Sequence, residues 1–474
     1  MKNIFKSLLL LLAVLTVSCK DLVDGINDDP NGITISDVDP QLFLGGTMLA
    51  NTVSQVGHLN RIAGMYSGQL VGLSSLYSNI YGYNLSTAES VGTWNAIYIG
   101  VIPNVRHIRI NLPDDRLLVG ISKVMEAMAI GTAASLFGDI PYEEINTEGI
   151  DDPKFDGQVD VLMSMIDLLT EATGDLSAAT SRAVTEDLYF NGDKDKWMEA
   201  ANTLKARYYM YLKDYSNAYS SAQNGISSSA GTMKHIPVGE SSTAEDKNLF
   251  WEILNGSRTG DIGNVGSYLM TILDPSDAAY RGNAKTDETA RFGYYQIDEG
   301  TASGNQGIIE QYEPQQIVSF EENHLILAEA GARTAGFGTG LTHLNEFRAW
   351  LNGGGRLNAN FIGMIGPNDY QAYDAADFAA GTGMENADGI DATRALIREI
   401  VEERYVSGFG EYMPYDDARR LRKADMDVSV PFPFNIGTAT AHPERMPYSD
   451  NELNTNANGP GEDPGIFIKT AVNQ

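Results

Sequence analysis

Residues 191–229 read NGDKDKWMEAANTLKARYYMYLKDYSNAYSSAQNGISSS, and this segment holds two consecutive helical patterns. In the first, apolar side chains recur at steps of three and four, which places them on one helix face: Trp197, Ala201, Leu204, Tyr208 and Tyr211. Lys213 and Asp214 end it, and a shorter pattern follows at Tyr215, Ala218, Ala222 and Ile226. Because each helix has only one apolar face to bury, the two are predicted to fold back on each other as a hairpin.

The spacing of this hairpin is that of a tetratricopeptide helix pair, with Ala206, Tyr209, Tyr215 and Ala218 at the positions of close approach. One such pair cannot close a hydrophobic core, so further helices are expected. Other helical patterns cover residues 41–71, 94–105, 117–137, 159–173, 319–331, 341–351 and 391–407. The predicted fold class is mainly α, a scaffold of tetratricopeptide-like helical hairpins with long loop-rich insertions.

Two helix starts carry capping signals. Ser319 and Glu322 have the spacing of a capping box, in which each side chain bonds the other residue's backbone N–H. Asp391 is a predicted N-cap for the helix that follows it. The charged residues of 402–404 and 416–420 are predicted to pair as a structural ion network rather than to act as a catalytic carboxylate pair.

The composition limits the class of protein. The chain has 474 residues, 43% of them hydrophobic, and a formal net charge of −30, so it can bury a large core. Basic residues are not concentrated anywhere, which argues against nucleic acid as a partner. Cys19 is the single cysteine, and the six histidines show no metal-ligand spacing. No disulfide, metal site or cofactor is therefore predicted.

The N-terminus has the pattern of a secretory signal peptide. Lysines precede a short apolar run at residues 8–17, which is too short to span a bilayer. Cys19 then follows as in the lipobox of bacterial lipoproteins, although Thr16 stands where such boxes usually carry an aliphatic residue. We predict residues 1–18 to be a signal peptide, Cys19 to be the lipidation site, and residues 19–40 to be a tether.

Residues 41–474 are predicted to form a single domain. Stretches rich in Gly, Asn and other polar residues interrupt the helical patterns at about 230–318 and 353–390. The first is too long for a structureless connection, so it should contain turns and short strands of its own. Binding residues tend to lie on such loops, which a rigid scaffold carries.

Short motifs spread in order over the chain resemble the SusD/RagB family of nutrient-binding outer-membrane lipoproteins. They are FGDIPY (137–142), LKAR (204–207), ILAEA (326–330), IVEER (400–404), DDARR (416–420) and ERMPY (444–448). One departure is clear, since residues 409–412 read FGEY where the family usually shows a Gly-x-Arg-Trp step. Lys20 and Asp21 after the cysteine are similar to the signal that sends Bacteroidota lipoproteins to the cell surface.

The resemblance implies an all-α, tetratricopeptide-like protein that is lipid-anchored in the outer membrane and faces the cell exterior. It also implies a partner, a SusC-like TonB-dependent barrel that imports oligosaccharides or peptides, and no catalysis. We therefore predict a surface lipoprotein that binds nutrient oligomers, with oligosaccharides as the first choice, and delivers them to that barrel. The membrane would be contacted through the lipid alone.

Aromatic and polar side chains are combined in two loops, a mixture that suits the apolar faces and hydroxyl groups of sugars. The predicted ligand-binding residues are Tyr77, Tyr81, Tyr83 and Trp94 in the first loop, and Tyr268, Tyr280, Arg281, Tyr294 and Tyr295 in the second. Asn79 and Asn84 accompany the first set and Tyr312 the second. For each ring, packing in the core is the alternative.

Three other functions remain open from the sequence. A RagB-like protein would hold a peptide by backbone hydrogen bonds along a groove. A lipid-anchored all-α polysaccharide-degrading enzyme would need two carboxylates, or a Tyr–His pair, in one cleft, and 63 acidic residues do not discriminate. A scaffold that binds only proteins would bury its aromatic loops against the helices.

Overall fold

The computed structural model describes residues 38–239, 246–256, 258–298 and 304–474. The predicted signal peptide, the lipidation site Cys19 and almost all of the tether lie outside the described residues.

Helices dominate the described chain. Its first half contains α1 (Phe43–Val56), α2 (His58–Tyr66), α3 (Ser75–Tyr81), α4 (Val91–Asn95), α5 (Ile102–Asn111), α6 (Arg116–Phe137), α7 (Gln158–Ala178), α8 (Lys194–Tyr211) and α9 (Tyr215–Ala222). The second half contains α10 (Leu249–Asn255), α11 (Tyr268–Leu273), α12 (Thr289–Tyr295), α13 (Phe320–Ala335), α14 (Phe337–Asn352), α15 (Ala392–Ser407), α16 (Met413–Leu421) and α17 (Asp450–Thr455). A π-helical turn, Ala96–Val101, joins α4 to α5. The mainly α fold class is confirmed.

The strands in the described part of the chain are short and form two-stranded antiparallel ribbons. They are β1 (Val71–Gly72), β2 (Ile140–Pro141), β3 (Phe155–Asp156), β4 (Met233–His235), β5 (Ile262–Gly263) and β6 (Gln315–Val318). β1 pairs with β5, β2 with β3, and β4 with β6. These ribbons connect loops to one another, and each places an apolar side chain in the core: Ile140, Met233 and Ile262 are fully buried.

Helix α6 lies at the centre of the fold, with α5, α7 and α8 packed around it. Gly131 allows the ring of Tyr208 to approach, since a Cβ there would lie 2.2 Å from that ring. The Tyr208 hydroxyl donates to the Ala127 carbonyl at 2.8 Å. Among the described helices, α6 alone is long and apolar enough to cross a membrane, but 94% of its apolar window is buried inside the protein. It is therefore placed as a core helix.

The segment at residues 191–229 forms the predicted hairpin. Asp193 caps α8 by accepting from the backbone N–H groups of Asp195 and Lys196. Asp214 caps α9 by accepting from the N–H of Asn217. Between the two helices Lys213 has a φ of 60°, a left-handed conformation that reverses the chain within a very short connection.

Small side chains let this hairpin pack closely against α13. The apolar seam consists of Ala206, Met210, Ala218, Ala222, Ile326 and Ala330. Asn323 of α13 adds hydrogen bonds to the carbonyls of Ala222 and Ile226, at 3.0 and 3.1 Å. Helices α8, α9, α13 and α14 therefore stack as two hairpins, which is the tetratricopeptide-like arrangement.

The second hairpin, α13–α14, is tied to the first by an ion pair. Ser319 caps α13 by accepting from the Glu322 N–H at 3.1 Å. The predicted capping box is only half right, because the Glu322 carboxylate, which should return to the Ser319 backbone, pairs with Arg207 at 2.6 Å. Arg207 lies on α8, so the carboxylate stabilises hairpin stacking more than its own helix end.

The two predicted insertions contain short elements between loops. Residues 229–318 include β4, α10, β5, α11, α12 and β6, and Met233 of β4 lies opposite Val318 of β6. This insertion therefore leaves and rejoins the frame at one ribbon. Residues 353–390 contain the single turns Ile362–Met364 and Ala375–Phe378. The following helix, α15, begins after Asp391 as predicted, with the Asp391 carboxylate accepting from Thr393 and Arg394.

Buried ion pairs hold α15 and α16 against α13. Arg404 of α15 pairs with Asp417 of α16 at 2.6 Å, and Arg420 of α16 pairs with Glu329 of α13 at 2.5 Å. All of these side chains are buried. The predicted structural ion network is confirmed.

The C-terminal residues return to the centre of the fold. Arg419 donates to the Ser135 carbonyl at 2.8 Å. The backbone N–H of Met446 donates to the Leu136 carbonyl at 2.8 Å. The backbone N–H of Val472 donates to the Gln158 side chain at 3.0 Å. Residues from the C-terminal part of the chain thus complete the packing of α6 and α7.

Candidate ligand-binding site

The first predicted aromatic loop is divided between core and surface. Tyr77 is buried, and its hydroxyl accepts from Arg61 Nε at 3.0 Å. Trp94 is also buried and stacks on Tyr98, with ring centroids 4.6 Å apart. In this structure both rings pack against helices and are withheld from solvent.

Tyr81 and Tyr83 of the same loop remain partly exposed. The Tyr83 ring lies 5.9 Å from that of Phe467, which is 45% exposed. Asn435 holds this arrangement, since its backbone N–H donates to the Tyr83 hydroxyl at 2.8 Å and its amide donates to the Tyr81 carbonyl at 3.1 Å. We call Tyr81, Tyr83 and Phe467 the Tyr83 patch. Asn79 and Asn84, which accompany it in sequence, are exposed.

Most residues of the second predicted set are engaged within the protein. Arg281 pairs with Glu288, Glu399, Glu402 and Glu403, at distances from 2.5 to 3.1 Å. Tyr268 is partly buried against Tyr405, and the Tyr280 hydroxyl accepts from the Glu288 N–H at 2.8 Å. Tyr294 and Tyr295 are buried, and Gln311 donates to the Tyr312 hydroxyl at 3.0 Å. Arg281 has its donors committed to carboxylates, which leaves it poorly placed to bind a ligand.

The two predicted sets are connected through a segment that sequence reasoning missed, Pro431-Phe432-Pro433-Phe434-Asn435. Tyr405, which contacts Tyr268, stacks on Phe432 with centroids 6.3 Å apart. His442 lies between Phe432 and Phe434, 4.8 and 4.5 Å from their centroids. Two aromatic residues alternating with proline were the available signal.

A groove lies where the first insertion meets the α13–α14 hairpin. Its volume is about 350 Å³, within the range of roughly 300–1,000 Å³ that small-molecule sites occupy. One indole ring and several charged or amide groups line it: Lys234, Glu313, Gln316, Glu321, Trp350 and Arg356. We call this the Trp350 groove.

The walls of the Trp350 groove are held by neighbouring contacts. The Trp350 ring packs against Phe320 and Phe347, with both centroid distances 5.2 Å. Tyr294, a predicted site residue, also lines the groove, and its hydroxyl donates to Glu313 at 2.8 Å. These contacts pre-orient the aromatic and carboxylate groups before any ligand arrives, which lowers the entropy cost of binding.

A smaller cavity of about 30 Å³ shares Pro314, Gln316 and Arg356 with the groove and extends towards α2. Four side chains lining it carry a buried polar atom that has no hydrogen-bond partner in the described part of the chain: Asn60 Nδ2, Arg61 Nη1, Gln316 Oε1 and Glu411 Oε1. Buried polar groups are normally paired. The inner end of the groove therefore offers both donors and acceptors to a small polar group.

Glu411 is the most perturbed carboxyl at this inner end. Burial, followed by the neighbouring carboxylates of Glu322 and Glu321, raises the pKa of Glu411 to about 8. Ser319 donates to the other oxygen of Glu411 at 3.1 Å. At neutral pH the unpartnered oxygen is thus held in a largely protonated carboxyl, which can donate as well as accept.

Apart from Tyr294, the groove residues were not predicted from the sequence. Trp350 belongs to a recognised helix but lies beside its apolar stripe of Leu341, Leu344, Phe347 and Leu351. A tryptophan next to such a stripe and followed by Gly353-Gly354-Gly355-Arg356 was the signal available. Lys234 and Glu313 carry no local signal, because only the ribbon of β4 and β6 brings their segments together.

Stacked hairpins that carry a polar-aromatic groove between loops define a helical-repeat binding protein. The comparisons agree with this class. A family described as starch-binding and associating with the outer membrane matches residues 34–378. The chain therefore belongs to the SusD-like family, whose members are nutrient- and glycan-binding proteins of the outer membrane and are associated with SusC-like transporters.

Solved structures share the fold at low sequence identity. A SusD/RagB family protein from Bacteroides thetaiotaomicron is 20% identical, with 89% of this chain and 95% of that chain covered and a TM-score of 0.65. A SusD homolog from Bacteroides uniformis is 16% identical, with 92% of this chain and 100% of that chain covered and a TM-score of 0.66. A chitin-binding SusD homolog from Flavobacterium johnsoniae is 15% identical, with 91% of this chain and 98% of that chain covered and a TM-score of 0.62. The comparison with curated proteins found no match.

Proposed function

We propose that this protein captures oligosaccharides in the Trp350 groove and passes them to a SusC-like TonB-dependent barrel in the outer membrane. The observation that carries the proposal is the chemistry of the groove. An indole ring offers an apolar plane to the CH face of a sugar, while Glu313, Gln316 and Arg356 offer acceptors and donors to its hydroxyl groups. A mixed lining of this kind suits a neutral polyhydroxylated ligand.

The proposed location is the outer face of the outer membrane, with a lipid on Cys19 as the anchor. Family membership supports the membrane, and the lipobox-like sequence supports the lipid. Several acyl chains would give stable attachment, at about 0.8 kcal/mol per buried CH₂. A net charge of −30 keeps the body itself away from anionic lipid surfaces.

The role is proposed to be binding without catalysis. Glu321, Glu322 and Glu411 cluster near the inner end of the groove, but Glu322 is committed to Arg207. Glu411 has one unpartnered oxygen, but it lines the cavity of about 30 Å³ rather than the groove itself, and that cavity is too small for a sugar. A glycosidase needs one carboxyl that can reach the glycosidic oxygen and a second across the bond. The arrangement fits a binding role better than that geometry.

Calorimetric titration tests the proposal. The probes are soluble starch fragments and chitin oligomers, because the matched family is described as starch-binding and one solved relative as chitin-binding. Trp350→Ala removes a central aromatic contact and should weaken oligosaccharide binding at least tenfold, which corresponds to about 1.4 kcal/mol of binding free energy.

Phe467→Ala is the matched control, because it removes an exposed ring from the Tyr83 patch. Loss of binding in Phe467→Ala with none in Trp350→Ala would move the site to that patch and overturn the groove assignment. Binding of peptides but no oligosaccharide would favour the RagB-like alternative. Shortened sugars after long incubation would contradict the non-catalytic role.

A further inference from the structure

Three metal-ligating side chains converge on the α13–α14 hairpin, apart from the groove lining. His324 lies on α13, while His343 and Glu346 lie three residues apart on α14. Glu346 Oε2 is 3.0 Å from His343 Nδ1 and 3.5 Å from His324 Nε2. All three ligand atoms lie within 4.8 Å of one another. We propose that His324, His343 and Glu346 bind one divalent transition-metal ion, with zinc as the best-suited metal.

The distances suit tetrahedral coordination. Bonds of about 2.0–2.1 Å to nitrogen or oxygen place neighbouring ligand atoms about 3.3–3.4 Å apart. The two short distances at this site, 3.0 and 3.5 Å, lie on either side of that value. These two distances need to change by only a few tenths of an ångström. With the two histidine nitrogens also brought together from within 4.8 Å, the three ligand atoms form one face of a tetrahedron. Imidazole nitrogens select zinc, copper or nickel over calcium and magnesium, which prefer all-oxygen sites.

The surroundings hold the ligands in place. Tyr219 of α9 has its hydroxyl 3.2 Å from His343 Nε2, the nitrogen opposite the ligating one. Such an outer partner fixes the tautomer and the ring orientation of a ligating histidine. The His324 ring lies against Phe320 and Phe347, at centroid distances of 5.2 and 6.0 Å.

Metal binding has a cost at His324. Its Nε2 lies 3.1 Å from the His343 carbonyl, so coordination replaces that hydrogen bond and moves the remaining proton to Nδ1. The Glu346 side chain is 54% exposed, so the fourth position faces solvent and an ion can enter without unfolding.

No metal site was predicted from the sequence because the histidines lack ligand spacing. His324 and His343 are 19 residues apart, and only the antiparallel packing of α13 and α14 brings them together. The ion would join the two helices near the wall of the Trp350 groove, since Phe347 contacts both His324 and Trp350. Zinc would therefore stiffen that wall, and the site does not depend on the identity of the groove ligand.

The test is titration of the full chain, freed of metal with a chelator, with ZnCl₂ by calorimetry and with Co²⁺ by visible absorption. We expect one zinc ion per chain and Co²⁺ bands of tetrahedral intensity. His343→Ala and Glu346→Gln each remove a ligand and should lower the affinity for zinc at least 100-fold. Tyr219→Phe removes an outer hydrogen-bond partner and should lower it about tenfold, since such partners contribute about 10–100-fold to metal affinity.

His58→Ala is the matched control, because His58 contacts Glu89 at 2.8 Å without a second histidine ligand. It should leave zinc affinity unchanged. Glu346→Gln alters a half-exposed side chain, so it remains informative if a histidine variant folds poorly. Unchanged zinc affinity in Glu346→Gln and His343→Ala, or less than one ion per chain in the wild type, would overturn the proposal.

Discussion

The stacked hairpins and the first insertion satisfy their buried polar groups in different ways. Helices α8, α9 and α13 bond their own backbones, so the seam between them can be made of alanine, methionine and isoleucine side chains. The insertion has few backbone hydrogen-bond ladders of its own, and buried side-chain amides bond its backbone carbonyls instead. Asn264 donates to the Tyr295 carbonyl at 2.7 Å, and Asn248 donates to the carbonyls of Ile308 and Glu313 at 3.2 and 3.0 Å. Irregular backbone is tolerated inside a protein only where such partners exist.

The insertion is also attached to the frame by buried charge rather than by an apolar seam alone. Arg291 of α12 pairs with Glu288 at 2.6 Å and with Glu403 of α15 at 2.5 Å. All three side chains are buried. Paired charges of this kind add little net stability over apolar packing, yet removing one partner is costly. The insertion should therefore be the region more sensitive to a single polar substitution.

The largest effect is expected from Arg291→Ala. It leaves Glu288 and Glu403 buried with fewer cationic partners, which should lower the free energy of unfolding by about 3–5 kcal/mol. Urea denaturation measures the change. Arg398→Ala is the control, since its partner Asp388 is half exposed and such pairs contribute about 0–1 kcal/mol. Equal losses in the two variants would contradict the contrast.

The next effect concerns Glu411, at the boundary between the two regions. Its pKa of about 8 lies above the ordinary value of 4.5, so the folded state keeps a proton that the unfolded state loses. The stability contributed by the neutral carboxyl is full below pH 4.5 and is lost as the pH rises towards 8, and the loss is on the order of 4–5 kcal/mol.

Glu411→Gln should remove this dependence, so that the variant becomes progressively more stable than the wild type between pH 5 and about 8. Urea denaturation of both proteins across that window gives the difference. Glu171→Gln, at a 63% exposed position, serves as the control and should follow the wild type. A constant difference between Glu411→Gln and wild type over the window would refute the perturbed carboxyl.

The smallest of the three effects is expected at the apolar seam. Ala218→Leu forces extra methylene groups between α9 and α13 and should cost about 1–3 kcal/mol. Ser220→Leu changes the exposed face of the same helix and should change stability by less than about 0.5 kcal/mol. Thermal unfolding of both variants decides the comparison, and a tolerant Ala218 would mean that the seam is not closely packed.

The hairpins could be predicted because their signals are local. The apolar period of residues 197–211 and the break at Lys213 and Asp214 lie within a few residues of each other, so they can be recognised without knowledge of the fold. The ion pairs of the insertion could not be predicted in the same way. Arg281 and Glu403 are 122 positions apart, and nothing near either residue indicates its partner.

The candidate site was predicted in kind but not in place. Aromatic residues in polar loops indicated a ligand surface, yet the loop composition does not say which rings face the helices. Tyr77, Trp94 and Tyr295 are buried, whereas Tyr83 is partly exposed. The groove instead takes its ring from Trp350, on a helix that sequence reasoning assigned to the frame. The ligand-binding surface stays a prediction, which the paired variants Trp350→Ala and Phe467→Ala test.

The return of the C-terminal residues to α6 and α7 has a consequence for biogenesis. The hydrogen-bond partners of Leu136 and Gln158, which are Met446 and Val472, follow more than 300 positions later in the chain. Contacts so distant in sequence make folding slow. The chain would therefore expose unfinished helices until its final residues were available for packing. Chaperones that shield such intermediates from aggregation should raise the yield of folded protein.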